Sequence, residues 1–295
     1  MGTSQKYKAS VSGQPNWGKM TAALMSLAAS EAKEEELDQE EQELEEDSSS
    51  DQEPAPQTTP TDQRKKTIER RRRRLNTQLD NNLRKSVSHA VRAAGGKKAV
   101  VSGRSLAFGH SGYAFISNFV NRIVEIAEVG LVRWLEDKGE GRLEDKTPQE
   151  VVTTILEFSK ESLNTIDSTA ASAALESLND LLRNRLGDDL SKFDEKLRGL
   201  LAPGEMIEII DIFFADYIYN HLSTSVFEKL ERKYGQEKAL RLMSKIKDQI
   251  REDVKALPPD QQSMSIDWKR QSGKDLLEHE FNRIISIYVP DENNN

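Results

Sequence analysis

Apolar residues return every three or four positions through most of the chain and seldom alternate. Leu75, Leu79, Leu83, Val87 and Val91 stand four apart on a segment that opens with a basic run and stops at Gly95-Gly96, which predicts a helix with one apolar face. From residue 113 the same period continues through Ile116, Phe119, Val120, Ile123, Ala127, Leu131, Trp134 and Leu135, a pattern that reads as one long amphipathic helix ending near Gly139. The stretch TPQE then places Thr147 as N-cap, Pro148 at the first helical position and Glu150 three residues after the cap. That is a capping box, and it starts the next helix. Ala171, Ala174, Leu175, Leu178, Leu181 and Leu182 share one face of a further helix that stops at Gly187. The most apolar window is EMIEIIDIFFADYIYNHL, residues 205 to 222, apolar around most of its circumference and therefore the expected central buried helix. Gly235 separates it from a charged helix over 236 to 256, and Leu277, Phe281, Ile284, Ile285 and Tyr288 form a last stripe before Pro290. Only Ala99-Val100-Val101 hints at a strand. The pattern predicts an all-α protein: a multi-helix, bundle-like domain over 95–289 with a flexible N-terminal tail.

The first third reads differently. Residues 20 to 46 are strong helix formers, but beyond Leu24 and Leu27 they become nearly all glutamate, and Leu37 and Leu44 are too sparse to make a stripe. With DSSSDQEPAPQTTPTDQ following, residues 31–63 read as a disordered acidic spacer. It would separate a tail and short helix (1–30) from a basic amphipathic helix (64–94), with 290–295 as a disordered C-terminus.

Charge sharpens this division. The net charge is −8 over 295 residues, but residues 31 to 62 hold fourteen acids against Lys33, and 64 to 74 hold eight basic residues against Glu69, leaving −2 for everything else. The helical domain therefore has no general field for nucleic acid. With no cysteine, disulfides, thiolate nucleophiles and Cys-based zinc sites are excluded, as fits a reducing compartment. The run MTAALMSLAAS is short and weakly apolar, and it follows a polar lead containing Pro15 and Gly18, which argues against a signal peptide. No stretch reaches the ~18 apolar residues of a membrane span, so a cytoplasmic protein is expected.

Candidate chemistry is sparse, and neither a cofactor nor a metal site is expected. His89, His110, His221 and His279 lie on different elements. Asp211, Asp216 and His221 are spaced by five, a rotation of about 140° per step on a helix, so their side chains diverge. GRSLAFGHS, residues 103 to 111, has one residue too many between its glycines for a phosphate-binding loop, and His110 stands where the lysine belongs. It reads as a flexible, glycine-rich approach to the long helix. Nothing nominates a catalytic set. The strongest charged feature is RKKTIERRRRRL, whose Arg70, Arg71, Arg72, Arg73 and Arg74 suit phosphates, although no aromatic accompanies them and acidic residues of the same chain can satisfy them instead.

The N-terminus offers a further possibility. Met1-Gly2 would be trimmed to a glycine, whose α-amine has a pKa of roughly 7.7 to 8.0 and is therefore partly nucleophilic at neutral pH. Lys6 stands where myristoylation needs Ser or Thr.

MGTS with QPNWGKMTAAL, then SGRSLAFGHSGY, KTPQEVVTTILEF, TIDSTAASAALESL and DYIYNHLSTSVFEKL in that order, resembles the QatB family, small partner proteins of the Qat anti-phage defence systems. The resemblance spans residues 1 to about 25 and about 95 to 288, leaving out the acidic and arginine-rich runs. It implies company: an ATPase, a TatD-like nuclease and, as direct partner, a QueC-like enzyme. Enzymes resembling QueC activate a deazaguanine carboxylate with ATP, and related defence systems pass such an acyl group to an N-terminal glycine amine. On that basis Gly2 is expected to be a modification acceptor or the end of an inserted tail, with Thr3 and Ser4 hydrogen bonding without bulk. Trp17 either anchors the tail's base or covers the helical domain's own surface. The expected function is a non-enzymatic defence component, and the alternative is a nucleic-acid-binding accessory acting through residues 64–74.

Overall fold

The computed structural model describes residues 15–48, 60–160, 165–258, 268 and 273–290. Among them are eleven α-helices, two single 3-10 turns and no strand. The helices are α1 (Gly18–Ser48), α2 (Pro60–Ala93), α3 (Lys97–Val101), α4 (His110–Val129), α5 (Leu131–Asp137) and α6 (Pro148–Ser159), followed by α7 (Ser168–Leu186), α8 (Phe193–Gly199), α9 (Pro203–Tyr234), α10 (Gln236–Lys255) and α11 (Gly273–Tyr288). None is long and apolar enough to cross a membrane among the described residues.

The core is built around α9. Its apolar circumference needs neighbours on several sides, and it finds them in α7, α10, α11, α4 and the hairpin formed by α1 and α2. Met206, Ile209, Ile210, Phe213, Phe214, Tyr217, Ile218 and Leu222 are all buried. Phe214 stacks on Phe281 of α11 with centroids 4.3 Å apart, and Phe108 approaches both Tyr217 and Phe281 at 5.4 and 6.3 Å. This aromatic cluster joins the glycine-rich turn, α9 and α11 in one packed unit.

Local signals set several boundaries. The capping box before α6 is present in both halves: Thr147 Oγ1 accepts from Glu150 N at 3.2 Å, and Glu150 Oε2 accepts from Thr147 N at 2.7 Å. Two elements differ from the pattern. The long helix expected from 113 to 139 is broken at Gly130, whose φ of +88° no longer continues a helix. The break holds because Leu131 N, at the start of α5, donates to Asp194 Oδ1 at 2.7 Å. The Ala99-Val100-Val101 stretch is helical, in α3, and buries Val100 and Val101 against the core.

The acidic segment also differs. Where the pattern suggests a disordered spacer over 31–63, α1 continues as helix through Ser48 and α2 begins at Pro60, with 49–59 outside the described residues. The two helices pair antiparallel, with Asp38 and Glu41 against Arg72 and Glu40 against Arg71. That register sets Leu37 level with Leu75, and Leu37, Ile68 and Leu75 are buried. Nearer the domain, Met20, Leu24, Leu27, Leu83, Val87 and Val91 enter the main core. A stripe too thin to order α1 alone suffices once α2 supplies the facing apolar residues and the neutralising charge.

Candidate functional site

Helix α4 begins at the glycine-rich turn, and the first N–H groups of any helix have no partner within it. Here they meet an internal carboxyl group. Asp167, fully buried just before α7, accepts at Oδ2 from Gly109 N at 3.0 Å, Ser111 N at 3.1 Å and the Tyr217 hydroxyl at 2.6 Å. Ser111 Oγ lies 2.5 Å from Thr165 Oγ1 and closes the same node. An aspartate thus occupies the place where a phosphate-binding loop would hold its ligand. The turn is a packed joint and not a flexible approach: Gly109 has φ +118°, and a Cβ there would sit 2.2 Å from Val100 O. Burial raises the Tyr217 phenol well above its ordinary range, so it stays protonated and donates.

One turn further along α9, His221 stacks on Phe108 at 4.2 Å and receives the edge of Trp17 at 5.0 Å. Burial holds its pKa down at about 4, and its buried Nε2 has no hydrogen-bond partner among the described residues. Trp17 is half-buried, and Asn16 Oδ1 accepts from Gly18 N at 2.9 Å to start α1 beside it. A small pocket lined by Trp17, Ile166, Thr169, His221, Thr224 and Ser225 opens at this contact. Trp17 therefore lies on the helical domain's own surface at the point where the tail joins it. Gly2, Thr3 and Ser4 lie outside the described residues.

The structure separates the other sequence candidates. Asp211 pairs with Arg283 of α11 at 2.9 and 2.7 Å, Asp216 pairs with Arg251 of α10 at 2.8 and 2.6 Å, and His221 turns toward Phe108. They face three different elements, and no group of metal-ligating residues forms among the described residues. Asp211 lines a groove of about 1050 Å³ between α7, α9, α10 and α11, where burial pushes its pKa up to about 6 despite Arg283.

The arginine run is divided. Arg72 binds Asp38 at 2.5 Å and Glu41 at 2.7 Å, Arg71 reaches Glu40 at 3.4 Å, and Arg73 pairs with Glu69 on its own helix at 2.5 Å. Arg70 and Arg74 are exposed and have no partner among the described residues. Because Arg72 bridges two acids at the seam, Arg72→Glu should unzip the outer hairpin by placing three carboxylates together. The half-exposed pairs are worth only about 1 kcal/mol each, so the domain should melt normally. Hydrogen exchange should accelerate over 33–48 and 64–76 and recover in the Arg72→Glu, Glu41→Arg double variant. Unchanged protection in the single variant would remove the charge-zipper account.

Asp167 and Tyr217 carry the densest buried polar geometry, yet sequence reasoning assigned them no role. Asp167 in TIDSTAAS has only the local look of an N-cap, and Tyr217 that of an aromatic on an apolar helix.

Residues 95–288 match the family model described as Qat anti-phage system associated protein QatB. No curated protein and no solved structure matches the chain. The matched span runs from just before α3 to the end of α11 and includes the Asp167 joint and the α9 core, whereas the hairpin and residues 1 to 25 lie outside it. The chain accordingly belongs to the QatB family, with a role in the Qat anti-phage defence system.

Proposed function

We propose that this chain is a non-enzymatic adaptor of its Qat system that binds a QueC-like enzyme and presents Gly2 to that enzyme's active site, as acyl acceptor or as an inserted tail. The observation that carries the reading is the seat of Trp17 on His221. A contact at residue 17 roots the tail on the rigid core, and the fifteen residues back to Gly2 reach about 50 Å when extended, enough to enter a deep cleft. Glycine suits the end of such a tail because its amine is uncrowded and partly unprotonated at neutral pH. In the acceptor form, the Gly2 nitrogen attacks the carbonyl carbon of an acyl adenylate, an amide bond forms, the acyl–phosphate bond breaks, AMP departs and the amine releases a proton. The buried Asp167 supports a structural role for the domain, since its Oδ2 is already shared by three donors. The ATPase and the TatD-like nuclease of the same system are further candidate partners.

Intact mass after co-expression with the QueC-like enzyme tests this reading. The parent chain should co-purify with the enzyme and, in the acceptor form, gain mass on its N-terminal peptide. Gly2→Glu retains Met1 and adds a charge, so it should lose the mass gain, the complex and phage protection while keeping the parent melting temperature. Gly2→Ala separates the two forms: one methyl impairs a tight acceptor site and spares a docked tail. If Gly2→Glu protects cells as well as the parent does, the N-terminus has no essential part.

A further inference from the structure

The hairpin's internal pairing has a consequence on its opposite side. Ile68, Arg72 and Leu75 mark the side of α2 that faces α1. At 100° per residue, Lys66, Arg70, Arg73, Arg74, Thr77 and Asn81 fall on the side turned away from it, and all six are exposed. Together they form a stripe about 22 Å long at 1.5 Å per residue. Lys66, Arg70 and Arg74 repeat once per turn and have no partner among the described residues. Of the acids of α2 whose side chains are described, Glu69 pairs with Arg73 and Asp80 with Arg84 at 3.0 Å. The acids of α1 draw Arg71 and Arg72 inward and so leave an outer face of cations, a hydroxyl and an amide.

We propose that this outer face of α2 binds the phosphate backbone of nucleic acid without reading its sequence. The composition selects that occupant. A tightly held protein partner would need an apolar or aromatic anchor at the centre of the contact, and an embedded amphipathic helix would need apolar residues to insert; the stripe has neither, and three or four cations alone hold an anionic lipid surface only weakly. Arg, Lys, Thr and Asn are phosphate-binding groups, and the lack of aromatics removes base stacking, so contact is limited to the backbone. The acids of α1 lie about one interhelical distance away, 8–10 Å, close to the ~8 Å Debye length at physiological salt. Their field is damped, and it keeps the binding weak and salt-sensitive. This inference is independent of the role proposed for Gly2, because the hairpin lies outside the family match.

Fluorescence anisotropy of the full chain with labelled 20-nucleotide single-stranded and duplex DNA, from 50 to 200 mM salt, provides the test. The parent should bind at 50 mM with equal affinity for two unrelated sequences. For the duplex, log affinity should fall against log salt with a slope near −3, as expected for three to four neutralised phosphates. Lys66→Glu, Arg70→Glu and Arg74→Glu combined should weaken binding at least tenfold and flatten the slope, and the corresponding triple glutamine variant should flatten it without reversing charge. Helicity and melting temperature should not change in either, since all three side chains are exposed. Failure of the parent to bind at 50 mM, or parental affinity in both triple variants, overturns the proposal. So does a parent that binds anionic vesicles or an acidic protein through these residues while ignoring DNA.

Discussion

Phe214→Asp should abolish cooperative folding of the helical domain. Phe214 is fully buried on α9, stacked on Phe281 at 4.3 Å and edge-on to Phe213 at 5.5 Å. The substitution removes an aromatic ring from the contact between α9 and α11 and leaves an unpaired carboxylate with no water within reach. The lost ring costs about 3–5 kcal/mol, and the buried charge adds several more. Since whole domains are stable by only ~5–15 kcal/mol, the variant should be expressed largely unfolded. Thermal melting followed by circular dichroism at 222 nm reads the outcome, with Phe214→Leu as a folded control of intermediate stability. A soluble Phe214→Asp variant with the parent's transition would mean that α9 is not the centre of the core.

Asp167→Ala should have the second-largest effect. It strips Gly109 N, Ser111 N and the Tyr217 hydroxyl of a shared acceptor in a site from which water is excluded. Gly109 N retains the Tyr217 hydroxyl oxygen at 2.6 Å, whereas Ser111 N and the Tyr217 hydroxyl are stranded at about 1–3 kcal/mol each, so the loss is about 2 kcal/mol or more, a drop of roughly 6 °C in Tm for a domain of this size. Asp167→Asn keeps an acceptor oxygen and the shape, and should recover part of the loss. Amide exchange at Gly109 and Ser111 should rise well before global melting in the alanine variant. Because Phe108 lies between this node and His221, loosening the turn should also release Trp17, which its fluorescence would report. A Tm within 1 °C of the parent would show that these N–H groups find other acceptors and that Asp167 does not hold the joint.

Much of the helical framework is legible in the chain because its signals are short-range. Thr147, Pro148 and Glu150 lie within one helical turn, and the structure contains the capping box they spell. Gly187 and Gly235 end α7 and α9 where the periodicity stops. Gly130 was not legible, since the apolar stripe runs on across it from Ala127 to Leu131 and Trp134, and a single glycine costs a helix only about 1 kcal/mol. Asp194, sixty-three residues beyond Leu131, settles that break by accepting from the first N–H of α5. Helix α8 escaped notice because it is one short element with only Phe193 and Leu197 buried.

The sequence by itself determined the helical class, the apolar α9 at its centre, the boundaries marked by caps and glycines, and the resemblance to the QatB family. The tertiary structure decided where the polar groups are spent. Asp167 reads locally as a helix cap but serves the start of another helix fifty-eight residues away, while Arg72 turns a run of glutamates into half of a hairpin. Trp17, ambiguous on its own, finds His221 across most of the chain. A helix cap or a glycine stop is completed by neighbours a turn away, so the local sequence contains both partners. A buried carboxylate, a seam arginine or a stacked ring is completed only by whichever distant group the packing brings within about 3 to 5 Å.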